Sequence, residues 1–352
     1  TTVNWATQGG TVIVGAKSPR VITGLSNGQT YSFTINGRKD GGPGGEGAPT
    51  QVAVPQFAGA NWSLGDPLGT GRLNGVAGGL GGSIEQPSYI TMAVGDGGTI
   101  YSRPTFGETT TPTNPAAPAR LNGVAYGTAG WVAVGDNGTS VAALDGVTWE
   151  AKPAGVTANL LGIVTSPLGG YIATGANGTI LLGSTAAVWT AATSTGTTSD
   201  LRSATLGNNY YVAAGAAGTI VTSTDGLTWT VTPSGTTSDL RGLAYAGITT
   251  IADGVATVNH HFVAVGKAGT VLHSSDGLAW TTIAPFTAGD LNAVVYGGQF
   301  VAVGAAGGIF TSPDGLAWTA RNSGTTADLT AITRTQTGYS AVGTAGTIVT
   351  SF

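Results

Sequence analysis

The chain contains no cysteine. That excludes a disulfide framework, thiol catalysis and thiolate metal sites. Charge is scarce as well: only 9% of the 352 residues are charged, against about 25% in an average soluble domain. The net charge of −4 offers no electrostatic handle for nucleic acid. Glutamate is nearly missing, with Glu46, Glu85, Glu108 and Glu150 the whole complement. No apolar run reaches the ~18 residues that a membrane span requires, so no membrane insertion is expected. No basic stretch followed by an apolar one opens the chain, so no signal peptide is visible. The first residue is Thr1, as expected of a processed or truncated chain, which leaves secretion open. Helical periodicity over 11 residues is absent too.

What is present is glycine and repetition. There are 60 glycines, about 17% against a usual ~7%. Apolar residues make up 41%, enough to build a sizeable core. The motif apolar-Ala-apolar-Gly recurs along the chain with small changes. Its glycine stands at Gly95, Gly135, Gly175, Gly215, Gly266, Gly304 and Gly343. The differences between those positions are 40, 40, 40, 51, 38 and 39 residues. A seven-fold repeat of about 40 residues is the size of a four-stranded propeller blade.

One repeat shows the plan. Strands are expected at Leu201–Leu206, Tyr210–Ala214, Thr219–Ser223 and Leu227–Val231. The turns between them are Gly207-Asn208-Asn209, Gly215 to Gly218, and Asp225-Gly226, residues suited to positive φ and tight turns. The last repeat starts at Leu329 and stops at Phe352, after its third strand. The missing tryptophan-bearing strand precedes the first repeat, at Ala60-Asn61-Trp62-Ser63-Leu64. The N-terminal strand is therefore expected to complete the seventh blade, removing free sheet edges. The expected fold class is all-β: a seven-bladed β-propeller over 57–352 with a separate module over 1–56. Blades are placed at about 73–120, 121–160, 161–200, 201–239, 240–290, 291–328 and 329–352, the last closed by 57–72. Trp62, Trp149, Trp189, Trp229, Trp280 and Trp318 share one repeat position and read as packing residues between blades.

Two blades depart from the pattern. In the first, Arg103 to Gly107 and the proline-rich Thr109–Pro118 stand where the fourth strand belongs, so that strand is expected to be irregular. The fifth carries about 11 extra residues around Ile248–Asn259, expected as a loop on a rigid scaffold.

The run Ser223-Thr224-Asp225-Gly226-Leu227-Thr228-Trp229 resembles the Asp-box (BNR) of bacterial neuraminidase-type repeats, in a form one residue shorter. Ser274–Trp280 and Ser312–Trp318 match it. Ala143–Trp149 lacks the Ser and Gly183–Trp189 the Asp. The Gly218-Thr219-Ile220 lead-in also looks like Ycf48-like propellers of photosystem II assembly. The resemblance implies architecture, since such turns occur in enzymes and non-enzymes alike. Asp145, Asp225, Asp276 and Asp314 are expected to accept backbone N–H groups within their own turns. The N-terminal run Val21–Ile35, with Thr23-Gly24-Leu25, Gly28, Tyr31 and Phe33, resembles the second half of a fibronectin type III domain. Thr2–Trp5 and Thr50–Pro55 resemble two more of its strands. A full sandwich takes about 100 residues, so this module is incomplete or borrows a strand.

Chemistry is sparse. The arginine cluster, Tyr–Glu pair and acid of a sialidase find no matching positions, so no catalytic residue is assigned. His260 and His261 are strand neighbours that point to opposite faces, and His273 stands apart. No metal and no cofactor is expected. The turns at Gly95–Gly98 and Gly135–Gly138 lead into strands and lack a P-loop lysine. Asn61, Asn137 and Asn177 open N-x-[ST] sequences that are also ordinary turn chemistry. One constellation remains: Asp200, Arg202, Asp239, Arg241, Asp290 and Asp328 recur at the start of inner strands. They read either as bonds between blades or as a binding site at the channel mouth for a small ligand or peptide.

The functional expectation is a non-catalytic structural or adhesive protein, extracellular or at the cell surface. Low charge removes the repulsion that keeps proteins apart. Open edges of the N-terminal module invite another strand, so the main partner is expected to be a second copy, assembling into a filament or layer. A glycan or a cell-surface protein is the further partner class. The alternatives are a carbohydrate-binding propeller or glycosidase, and a Ycf48-like assembly factor.

Overall fold

The computed structural model describes residues 58–81, 88–104, 111–113, 119–166, 170–185, 188–252 and 255–351, with short strands before them. The chain divides into two compact units, Thr1–Phe57 and Ala58–Phe352. In the first, Thr2–Asn4 pairs antiparallel with Thr34–Asn36, and Arg38–Lys39 with Gly42–Pro43. The fibronectin-like runs at Val21–Phe33 and Thr50–Pro55 lie outside the described residues.

The second unit is a seven-bladed β-propeller. Seven four-stranded antiparallel sheets follow one another, each an up-and-down meander with its first strand innermost. The ring closes as the incomplete last repeat requires: Trp62–Leu64 is the fourth strand of blade seven, pairing Trp62 with Ser351 and Leu64 with Val349. There is no continuous central core. The apolar side chains form seven clusters, each drawn from two neighbouring blades. In one of them Val212 and Ile220 of blade four pack with Phe262 and Leu272 of blade five. Alternation of side chains along each strand feeds the seams on both of its sides.

The glycine of the repeat motif has a steric cause. A Cβ at Gly215 would collide with the carbonyl oxygen of Asp200, and one at Gly304 with that of Asp290. The same carbonyls accept the N–H of the following residue, Ala216 to Asp200 at 2.8 Å and Ala305 to Asp290 at 2.9 Å. The chain bends so sharply into the single 3-10 turn after each second strand that only glycine fits.

Three expectations need correction. The fourth strand of blade four is Thr230–Thr232, not Leu227–Val231. Asp225 takes the N–H groups of Leu227 and Thr228, so those residues cannot enter the ladder. In blade one, Arg103 and Pro104 belong to the third strand, Ile100–Pro104. The fourth is a regular three-residue strand, Thr111–Thr113, with Pro112 opposite Tyr101 on the outer edge, where a missing donor is tolerated. The insertion of blade five is no loop. It lengthens the first two strands into a hairpin, Leu240–Ala252 and Val255–Gly266, in unbroken register from Gly242↔Val265 to Ala252↔Val255.

Candidate functional site: the two faces of the propeller

Each inner strand starts at one face, called upper here, and ends at the lower face. The upper face therefore carries the 3-10 turns, and the lower face the turns between third and fourth strands. Immediately before the inner strands stand Arg72, Arg120, Asn159, Asp200, Asp239, Asp290 and Asp328. Six of these reach across a seam to the turn of the preceding blade, Arg120 through Asp96 and five by accepting a backbone N–H. Asn159 accepts from the N–H of Asn137 at 2.9 Å and Asp200 from Asn177 at 3.1 Å. Asp239, Asp290 and Asp328 accept from Ala217, Ala268 and Ala306, each at 2.9 Å. The bonded N–H belongs to a residue with φ near +50°, so the acceptor holds a left-handed residue in place. Asp239 is held below the ordinary carboxylate range by the Ala217 N–H, with Lys267, Arg202 and Arg241 adding to it against the cost of burial. Asp290 is lowered in the same way by the Ala268 N–H and by Arg241.

Two residues further on lies a second ring: Asn74, Asn122, Leu161, Arg202, Arg241, Asn292 and Thr330. Five of its members point the other way, to the next blade. Asn74, Asn122 and Asn292 donate to the carbonyls of Leu121, Leu160 and Leu329 at 3.0, 2.9 and 2.7 Å. Thr330 donates to Leu73 across the closure. Arg241 pairs with Asp290 at 2.9 Å and donates to Asn292 at 2.7 Å. Arg120 pairs with Asp96 at 3.0 Å. Arg202 is the exception: its Nε is buried without a hydrogen-bond partner. The rings open into an axial cavity of about 960 Å³. Arg202, Asp239, Arg241, Asp290 and Asp328 line it, and Asp200 does not. No histidine, glutamate or lysine is among the lining residues.

The lower face uses its carboxylates locally. Oδ1 of Asp225 accepts the N–H groups of Leu227 and Thr228, both at 2.8 Å, and the Ser223 hydroxyl at 2.9 Å. Asp276 does the same with Leu278, Ala279 and Ser274. Asp145 accepts from Val147 and Thr148, and Asp314 from Leu316 and Ser312. The backbone donors hold Asp225 below the usual range. For Asp145, Asp276 and Asp314 burial pushes upward, and the turn donors outweigh it. The indole N–H groups of Trp229, Trp280 and Trp318 donate to the turn glycines Gly226, Gly277 and Gly315, and Trp62 to Gly59. The indole N–H groups of Trp149 and Trp189, in the two incomplete boxes, are buried without a partner.

Exposed apolar side chains gather on this lower face. Among the described residues eleven large hydrophobics are exposed. Nine belong to the lower turns, the hairpin or the adjoining strand ends: Leu80, Leu144, Val147, Val188, Ile251, Val255, Val258, Leu278 and Leu316. Leu144 is 82% exposed and Ile251 75%. The other two, Leu64 and Val231, lie in outer strands.

His260 and His261 do point apart, and each finds its own partner. Nδ1 of His260 lies 2.6 Å from the Tyr245 hydroxyl. Nδ1 of His261 lies 3.0 Å from Nε2 of His273. The second pairing escaped the sequence reading because it depends on the register of the second and third strands across the turn.

No family model matches the chain, and no curated protein matches it by sequence. Solved structures do match in shape. Ycf48 from Cyanidioschyzon merolae is 16% identical with a TM-score of 0.59, covering 82% of this chain and 98% of its own. A structure of Ycf48 bound to D1 peptide is 16% identical, TM-score 0.62, covering 82% and 94%. A catalytically inactive virginiamycin B lyase from Staphylococcus aureus, with quinupristin, is 12% identical, TM-score 0.65, covering 82% and 98%. At such identities the likeness is one of fold.

Proposed function

We propose that the chain is a non-catalytic structural and adhesive protein of the cell exterior that associates with copies of itself. The observation that carries this reading is the apolar lower face. Among the described residues nine of the eleven exposed large hydrophobics stand there, and the carboxylates of that face accept N–H groups of their own turns. Two such faces exclude water from apolar side chains when they meet, against the repulsion of the turn carboxylates Asp145, Asp225, Asp276 and Asp314 on each. A contact of like faces closes into a dimer; a second, different contact is needed to extend it. The fibronectin-like module over 1–56 supplies that contact in this reading, giving a filament or layer. Electron microscopy and sedimentation of the full chain test it. Ordered polymer is expected, and Leu144→Asp with Leu316→Asp is expected to shorten it. Monodisperse monomer at high concentration overturns the reading.

Arg202 favours a second reading. A guanidinium with an unpartnered buried Nε beside an open cavity suits an acidic peptide segment at the channel mouth. Ycf48, a neighbour in fold, is known bound to a peptide. Binding of acidic peptides that Arg202→Met abolishes, with the oligomer unchanged, supports this role. A glycan array with hits and no peptide binding points to the carbohydrate alternative.

A further inference from the structure

Blade five differs from the other blades at two positions that face each other. The third residue of the third strand is Thr222 in blade four, Thr311 in blade six and Thr350 in blade seven; in blade five it is His273. The residue before the large aromatic of the second strand is Tyr210, Gln299 or Gly338 in those blades; in blade five it is His261. The register pairs Val263 with His273. His261, two residues before Val263, therefore lies on the same face as His273 and diagonal to it. The rings are 5.2 Å apart between centroids and inclined by 58°. Their nearest nitrogens, Nδ1 of His261 and Nε2 of His273, are 3.0 Å apart.

At that distance one ring nitrogen donates a proton to the lone pair of the other. Burial first, and His261 second, hold His273 below the ordinary imidazole range. The turn of blade six lies against the pair: a Cβ at Gly315 would stand 3.6 Å from Cδ2 of His273. That turn brings Asp314, whose charge favours the protonated His273 and is itself favoured by His261. Among the described residues these are the charged groups that act on His273. Neither histidine serves the repeat, since other blades build the same seam with threonine or glutamine.

We propose that His261 Nδ1 and His273 Nε2 chelate one borderline divalent cation such as Zn²⁺, Ni²⁺ or Cu²⁺. Two nitrogens that each bind at about 2.0–2.1 Å span a gap slightly wider than the one present. Each ring must also turn by roughly 35°, so that its lone pair aims at the cation and not at the other nitrogen. If Nδ1 carries the bridging proton, His261 shifts to its other tautomer, with no net proton released. No cluster of three protein ligands stands among the described residues, so water fills the remaining positions and Asp314 offsets the charge. A cation held here ties the return strand of the long hairpin to the third strand.

The test uses the full chain, freed of metal by a chelator and titrated with Zn²⁺ alone. One equivalent is expected to bind at about pH 7.5, above the ordinary imidazole range, and to raise the midpoint of thermal unfolding, because a ligand of the folded state stabilises it. His273→Thr installs the residue of three other blades, and His261→Gln that of blade six. Each is expected to keep the circular dichroism of the parent and weaken Zn²⁺ binding by more than about tenfold. His260→Ala is expected to bind as the parent does. No binding by the parent, or undiminished binding by either His261→Gln or His273→Thr, overturns the proposal.

Discussion

The two faces of the propeller use the same chemical group in different ways. On the lower face an aspartate accepts N–H groups two and three residues ahead in its own turn. On the upper face it accepts an N–H some 22 residues earlier, from another blade. The first arrangement shapes a blade and the second fastens blades together. The difference shows that one residue type, repeated at fixed spacing, can be local or long-range according to which end of the strand it occupies. The surfaces differ accordingly: upper-face carboxylates bridge seams, while the lower face carries carboxylates bonded within their own turns beside most of the exposed large hydrophobics among the described residues.

The comparison predicts unequal effects. The largest belongs to the upper face: Gly215→Ala drives a Cβ into the Asp200 carbonyl and is expected to cost about 3 kcal/mol in urea unfolding. Gly226→Ala on the lower face, limited by its positive φ and a side-chain contact with Leu182, is expected to cost about 1 kcal/mol. Equal costs would remove the distinction. Acid comes next. The folded values of Asp145, Asp225, Asp239, Asp276, Asp290 and Asp314 all lie below the ordinary one. The unfolded chain then binds protons first, so stability is full above about pH 4 and falls as pH drops through the folded values. At the alkaline end, burial pushes Tyr171 up to about 12, so its contribution is full below pH ~10 and is lost as pH rises from there through the folded value. Chemical unfolding at a series of pH values checks both limits.

Asp290→Ala removes the acceptor of the Ala268 N–H and the partner of Arg241. The pair is partly solvated, so about 1 kcal/mol is expected, with a weaker salt dependence than the parent. Ala217→Gly relieves a left-handed alanine and is expected to gain about 0.5 kcal/mol, read from the denaturation midpoint. Smallest in stability is Leu144→Lys at an exposed lower turn, within about 0.5 kcal/mol of the parent. Its effect is expected in sedimentation, as weaker self-association.

The parts of the fold that sequence reading reached are those written in short stretches. The Asp225-Gly226 turn needs only residues from Ser223 to Trp229. The exchange of Trp62–Leu64 into blade seven follows from a repeat that stops one strand short. The hairpin of blade five reads as a loop in the sequence because its outer residues, from Thr249 to Ile251 and Val255 to Asn259, are exposed on both faces and show no alternation. Of the upper-face residues, their common position was visible and their partners were not. Arg202 and Arg241 occupy the same repeat position, yet Arg241 bonds an asparagine and an aspartate while Nε of Arg202 is left unpartnered.

The amino-acid order alone settled the number of blades, the closure and the turns, because each depends on spacing or on contacts within a few residues. Tertiary structure decided which blade Asp239 or Asp290 would fasten, which arginine would be left with a buried unpartnered nitrogen, and that His261 would meet His273. Those contacts cross seams or strands. Their geometry is set by the curvature of the ring and by strand register, quantities that belong to the assembled disc and to no single repeat.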